Sequence, residues 1–203
     1  MKLLLTSAGL STETLEKAFL SLLTKPPEEN RAIIMGVHPG MSDFDLDAYI
    51  HRNVQMICKQ GLLEKNIDSY KLNTDNPPFL EDYDVLWMLG GSEYRHMKWI
   101  RKQRLEPEIR RFIERDGVYV ARSAGAIIMG PDIDIEHWSN TPNDVGLEDT
   151  TGFGYVDFIT APHVDSILNG EKALEFHKNT GHKMIYLTNK QGILVLGDMY
   201  KII

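Results

Sequence analysis

The chain has 203 residues and carries 29 acidic against 22 basic side chains, a formal charge of −7. That balance excludes a protein whose main work is gripping phosphate backbones, which needs a clustered excess of Lys and Arg. Hydrophobic residues at 42% and charged ones at 25% exclude the disordered regime, and one catalytic domain over residues 1–203 with a real core is expected at this length.

Lys2-Leu3-Leu4-Leu5-Thr6 reads as a first strand, because its apolar patch is too short for a signal-peptide core. Leu15, Ala18, Phe19 and Leu22 then recur at i, i+3, i+4 and i+7 behind Ser11 or Thr12 as N-cap, which predicts a helix that Lys25-Pro26-Pro27 ends. A strand at 31–37 follows. Leu46, Tyr49, Ile50, Val54 and Ile57 repeat the helical spacing, with Asp43 and Asp45 near the start and Gly61 at the C-terminal cap. Cys58, the one cysteine, sits on that helix; a lone cysteine excludes an internal disulfide and any multi-cysteine metal site. No metal and no cofactor is expected, and the expected compartment is the cytoplasm.

Strands at 67–72, 84–89 and 117–121 come next, with a helix around Pro107, Ile109, Phe112 and Ile113 that Gly117 stops. Arg101, Lys102, Arg104, Arg110, Arg111 and Arg115 lie among Glu106, Glu108 and Glu114, and read as a solvated face. Strands alternating with helices are the α/β signature. The two-sided hydrophobicity of Ala32 to Val37 and Val85 to Leu89 places them in a parallel sheet covered on both faces. The longest segment without periodicity runs from about Pro131 to Thr151, and such loops are often functional. At the end, 184–187, 192–197 and 199–203 are joined by turns too short for crossover helices, so antiparallel edge strands are expected. No apolar run nears the roughly 20 residues that span a bilayer.

Ala121-Arg122-Ser123-Ala124-Gly125-Ala126 follows a strand and opens a small-residue helix, the setting of a nucleophile elbow, although Ala121 stands where such elbows carry glycine. There Ser123 would project from the sharp turn and the Ala124 N–H would face an oxyanion. Gly90-Gly91-Ser92 closes the preceding strand; two glycines at a strand's C-terminal end let backbone N–H groups meet a ligand, with Gly91 as the second oxyanion donor. A serine hydroxyl needs a base, and His163, behind Pro162 and an apolar segment, is the candidate, with His38 second. A carboxylate would orient the imidazole. Asp132, Asp134 and Glu136 share one face of an extended segment. Glu136 ranks first for its reach toward His163, Asp134 next, and Asp165 last. Arg122, beside the serine, is a candidate for a substrate carboxylate.

The order Leu3 to Gly9, Gly90-Gly91-Ser92, Ser123-Ala124-Gly125-Ala126 with Gly130-Pro131, Gly152-Phe153-Gly154 and Pro162-His163 resembles the dipeptidase E (aspartyl dipeptidase) family of serine peptidases, to which cyanophycinase is related. The likeness runs nearly end to end. It implies a three-layer α/β/α fold similar to class I glutamine amidotransferases, with serine in place of cysteine at the elbow. By the same likeness Ser123 is the nucleophile, His163 the base, and Gly91 with Ala124 the oxyanion hole. Two departures stand out. The family's third triad position falls near Trp138, and Glu171 to Lys183 holds three lysines but no arginine to select aspartate.

The expected activity is hydrolysis of dipeptides or short peptides through an acyl-enzyme on Ser123. The alternatives are a catalytically silent homologue that keeps the pocket for a small ligand, and a small esterase or amidase using the same site. The expected partner is a short peptide, with no nucleic acid and no membrane, and the protein is expected to be a monomer or homodimer.

Overall fold

The computed structural model describes residues 1–41, 43–134, 141–166 and 181–203. The described strands are β1 (Lys2–Thr6), β2 (Ala32–Gly36), β3 (Ile67–Lys71), β4 (Val85–Met88), β5 (Val118–Arg122), β6 (Phe158–Ala161), β7 (Lys183–Tyr186), β8 (Gly192–Leu196) and β9 (Met199–Ile202). The described helices are α1 (Glu13–Leu22), α2 (Leu46–Cys58), α3 (Glu93–Lys102), α4 (Glu106–Glu114) and the single turn α5 (Ala124–Ile127). Among them no helix is long and apolar enough to cross a membrane.

Seven strands form one sheet in the order β3-β2-β4-β5-β1-β8-β9, parallel from β3 to β1 and antiparallel from there to β9. Its inner strands alternate between two cores. Leu4, Ile34, Trp87 and Val120 point to the face that carries Phe19 of α1 and Ile50 of α2. Leu5, Met35, Met88 and Tyr119 point to the face that carries Met97 of α3, Phe112 of α4 and Ile127 of α5. Because both faces are covered, strands such as Val85–Met88 are apolar at every position. Trp87 keeps its indole N–H satisfied in the core by donating to Asn53 Oδ1 at 3.2 Å.

The helices start where their caps place them. Thr12 accepts from the Leu15 N–H at the head of α1, and Asp45 from the Ala48 N–H at the head of α2. One strand departs from expectation: β7 pairs in parallel with β6, in a separate two-stranded sheet, and is not part of the antiparallel edge. The reason is the connection before it. More than 20 residues separate β6 from β7, room enough for a crossover.

The basic stretch is more than a solvated face at Arg101 and Arg110, and Arg95 and Lys98 just before it join them. Arg95 holds Asp144 with both guanidinium ends, at 2.5 to 3.2 Å. Lys98 donates to the Val145 carbonyl, and Arg101 to the carbonyls of Asp149 and Thr151. Side chains at three-residue spacing on α3 thus strap the 141–151 segment across the helix, and Arg110 adds a bond to the Phe153 carbonyl.

Candidate active site

Parallel strands place their C-terminal ends on one rim of a sheet, where the loops converge. The site is built there. Ser123 follows β5 with φ 49° and ψ −112°, a conformation that costs a non-glycine residue on the order of 1–3 kcal/mol. Three features hold it. Its N–H donates to the Thr6 carbonyl at 2.9 Å, and its carbonyl accepts from Ala126 and Ile127 at 2.7 and 3.1 Å. Behind it, α5 lies so close to β4 that a Cβ on Gly125 would stand 2.8 Å from the Met88 carbonyl oxygen. The Ser-Ala-Gly-Ala run is therefore a packing requirement as well as a turn.

Gly90 abuts the serine: a Cβ there would lie 3.2 Å from Ser123 Cβ. Its N–H points at the Tyr49 hydroxyl, 3.3 Å away, so Tyr49 secures the loop. Gly91 has φ +141°, a backbone region that favours glycine. Among the described residues nothing accepts from the Gly91 N–H, and Ala124 opens α5, where a first-turn N–H has no intrahelical carbonyl.

The Gly90-Gly91 loop rests on unusual neighbours. His96 Cε1 lies 3.5 Å from where a Gly91 Cβ would be. His96 Nδ1 bonds the Ser92 carbonyl at 2.7 Å, and burial pulls the imidazole down to about 4. Glu93, in the same turn of α3, is buried with one oxygen unpartnered among the described residues; burial first, and Asp134 further, push its carboxyl up to about 8. Burial favours the neutral form of each.

His163 arrives from the loop after β6. It also has positive φ, 62°, and its Nε2 stands 3.0 Å from Ser123 Oγ. The loop is fixed by the Val164 N–H to the Leu187 carbonyl and the His163 N–H to Ser7 Oγ at 2.9 Å. On the other side of the ring, Nδ1 lies 2.5 Å from Asn189 Oδ1 and 3.3 Å from Ser7 Oγ.

The structure thus brings together Ser123, His163, Gly90, Gly91 and Ala124, with Arg122 alongside. Arg122 lies on the α2 side of the sheet, its guanidinium 5.3 Å from the centre of the Tyr49 ring, and has no carboxylate partner among the described residues. Of the three carboxylates considered for the imidazole, Glu136 lies outside the described residues. Asp134 accepts from the Tyr94 hydroxyl at 2.8 Å, and Asp165 accepts the Asn189 N–H at 3.0 Å. His38 braces its own loop through the Phe44 carbonyl and the Gly40 N–H. Lys183 turns to Tyr200 and Asp157, while Lys172 and Lys178 lie outside the described residues. The thiol of Cys58, at the end of α2, is pushed up by burial and by Glu64.

Residue-type reasoning missed Asn189, Ser7 and Tyr49. Ser7 was recoverable, since it follows β1 on the same rim. Asn189 sits in the Thr188 to Gln191 turn between β7 and β8, where asparagine is ordinary, and carried no signal.

Three comparisons bear on this arrangement. The chain is 22% identical over 162 residues to the uncharacterized peptidase Lin0382 of Listeria innocua, covering 74% of this chain and 78% of that one. Its fold matches that of a Listeria monocytogenes EGD-e protein assigned as a peptidase E, with TM-score 0.77, 19% identity, and 99% and 96% of the two chains covered. A peptidase from an acI-B1 Actinobacterium matches at TM-score 0.71 and 16% identity, over 100% and 86% of the chains. The model of peptidase family S51 matches residues 3–203, and the chain therefore belongs to that family and is a serine peptidase of the dipeptidase E kind.

Proposed function

We propose that the protein hydrolyses dipeptides or short peptides through an acyl-enzyme on Ser123. The observation that carries this reading is the 3.0 Å approach of Ser123 Oγ to His163 Nε2 at a strained strand-to-helix turn. His163 Nε2 takes the hydroxyl proton as Oγ bonds to the substrate carbonyl carbon. The negative charge that moves to the carbonyl oxygen rests on the N–H groups of Gly91 and Ala124, donors already fixed in place before reaction. When the C–N bond breaks, His163 returns the proton to the leaving amine. It then takes a proton from water as the water oxygen bonds to the acyl carbon, and returns it to Oγ as the C–Oγ bond breaks and Ser123 is released.

Arg122 supplies a cation one residue from the nucleophile, and its lack of an ion-pair partner among the described residues supports a role in holding a substrate carboxylate. On a chain of charge −7, an acidic substrate needs such a local cation. Labelling with a fluorophosphonate, followed by mapping of the modified peptide, tests the nucleophile. A panel of dipeptides run beside simple esters and amides tests the substrate class. Stoichiometric label on Ser123 and turnover of dipeptides are expected; turnover of esters alone would replace the peptidase reading with an esterase.

A further inference from the structure

The face of His163 turned away from Ser123 is met by an amide, and every polar atom of that amide's residue is engaged. Asn189 N–H donates to Asp165 Oδ1 at 3.0 Å, and its carbonyl accepts from Ser11 Oγ at 2.7 Å. Its Nδ2 donates to Ser166 Oγ at 3.1 Å, and its Oδ1 stands 2.5 Å from His163 Nδ1. The direction of the amide follows from its neighbours. Ser166 spends its one hydroxyl hydrogen on the His163 carbonyl, at 3.3 Å, so toward Asn189 it can only accept. Nδ2 must then face Ser166 and Oδ1 must face the ring. An oxygen at that distance from Nδ1 requires the ring proton to be on Nδ1, which leaves the Nε2 lone pair for Ser123.

We propose that Asn189 is the positioning residue that sets the tautomer and ring orientation of His163, with Ser7 as a second acceptor, so that the relay ends on an uncharged amide. This rests on reading Ser123 and His163 as nucleophile and base. Asp165 contributes one step back, by pinning the Asn189 backbone. Ser7 contributes from β1's rim, accepting the His163 backbone N–H while its Oγ lies 3.3 Å from Nδ1. An amide selects the tautomer as a carboxylate does. It does not supply the negative charge that would stabilise the imidazolium.

The test uses the intact protein and a fluorophosphonate probe, in whose reaction Ser123 Oγ forms the P–O bond, fluoride leaves and His163 takes the proton. Asn189→Ala is expected to slow labelling by about 10²-fold, within the range general-base catalysis contributes. Asn189→Asp is expected to keep the tautomer but to move the low-pH limb of the labelling rate upward by about one to three pH units, the usual effect of an opposite charge at this distance. A merely structural role would not produce that displacement. The ¹⁵N spectrum of the imidazole in the unsubstituted protein, assigned with His163→Gln, is expected to show a neutral ring protonated on Nδ1; this needs no variant of Asn189 to fold.

A ring protonated on Nε2 overturns the proposal. So does a Glu136→Gln variant that slows labelling and moves the limb while both Asn189 variants label as the unsubstituted protein does. Label that persists in Ser123→Ala overturns instead the assignment of the nucleophile, and the ring spectrum still reports on Asn189.

Discussion

The two halves of the Ser123–His163 pair are held by different means. Ser123 is set by main chain and close packing: a hydrogen bond to Thr6, a tight turn, and α5 pressed on β4 through Gly125. His163 is set by polar side chains, from two other parts of the chain, Ser7 after β1 and Asn189 between β7 and β8, and from Ser166 in its own loop. Packing in a central sheet leaves few alternatives and tolerates no added volume. A hydrogen-bonded loop is more easily retuned, because each contact can be exchanged for another without moving the backbone. Ser123 belongs to the scaffold, and the setting of His163 is adjustable.

Substitutions can break or sharpen this contrast. The largest effect on activity is expected for Ser123→Ala, which should lower peptide hydrolysis by at least about 10³-fold with little change in melting temperature. Equal activity in that variant would end the assignment. Gly125→Ala should strike both fold and function, since the new methyl meets a backbone oxygen at 2.8 Å. A loss of about 1–3 kcal/mol is expected, read by denaturant unfolding, together with weaker Ser123 labelling.

Ser7→Ala tests the other half. It removes an acceptor from a partly buried N–H and should cost about 1–3 kcal/mol of stability. Its labelling rate should fall more steeply than that of a variant matched for stability elsewhere in the fold. A rate unchanged beside a clear stability loss would assign Ser7 to the scaffold alone. The strap on α3 should matter least. The Arg95–Asp144 pair is partly exposed, so Arg95→Ala is expected to cost no more than about 1 kcal/mol after solvent screening.

The buried groups under the Gly90-Gly91 loop add a pH signature. The Glu93 carboxyl is raised to about 8 from 4.5, so its contribution is complete below pH 4.5 and is lost as pH rises toward 8, because only the unfolded chain releases the proton there. The His96 imidazole is lowered from 6.5 to about 4, so its contribution is complete above pH 6.5 and is lost as pH falls toward 4. Glu93→Gln should remove the first slope. Its melting temperature should exceed that of the unsubstituted protein at pH 8 by about 2–4 °C for each kcal/mol recovered. Parallel melting curves across pH 5–8 would show that Glu93 is not the source.

Much of the scaffold was legible because it rests on local chemistry. Leu15, Ala18, Phe19 and Leu22 carry their helix in their spacing, and Val85 to Met88 carry their two-sided burial in their composition. The strand-to-helix turn at Ser123 could be read for the same reason, since small residues after an apolar strand let a helix pack closely on the sheet. The parallel pairing of β7 with β6 was not legible from the short turns that follow β7, since it depends on the long connection before it. The straps from α3 were hidden too. Lys98 and Arg101 look the same in sequence whether they face water or the carbonyls of a loop some 50 residues away.

By itself, then, the sequence determined the layered α/β scaffold, the rim on which a site would form, and the serine, histidine and glycines worth placing there. These follow from periodicity and from residues whose backbone or side-chain chemistry is distinctive. Only the tertiary structure decided which group meets His163 Nδ1. Ser7 and Asn189 are common turn residues, 156 and 26 positions from the histidine, and hydrogen-bond partnership at such separations is set by the strand order that brings their loops to one rim.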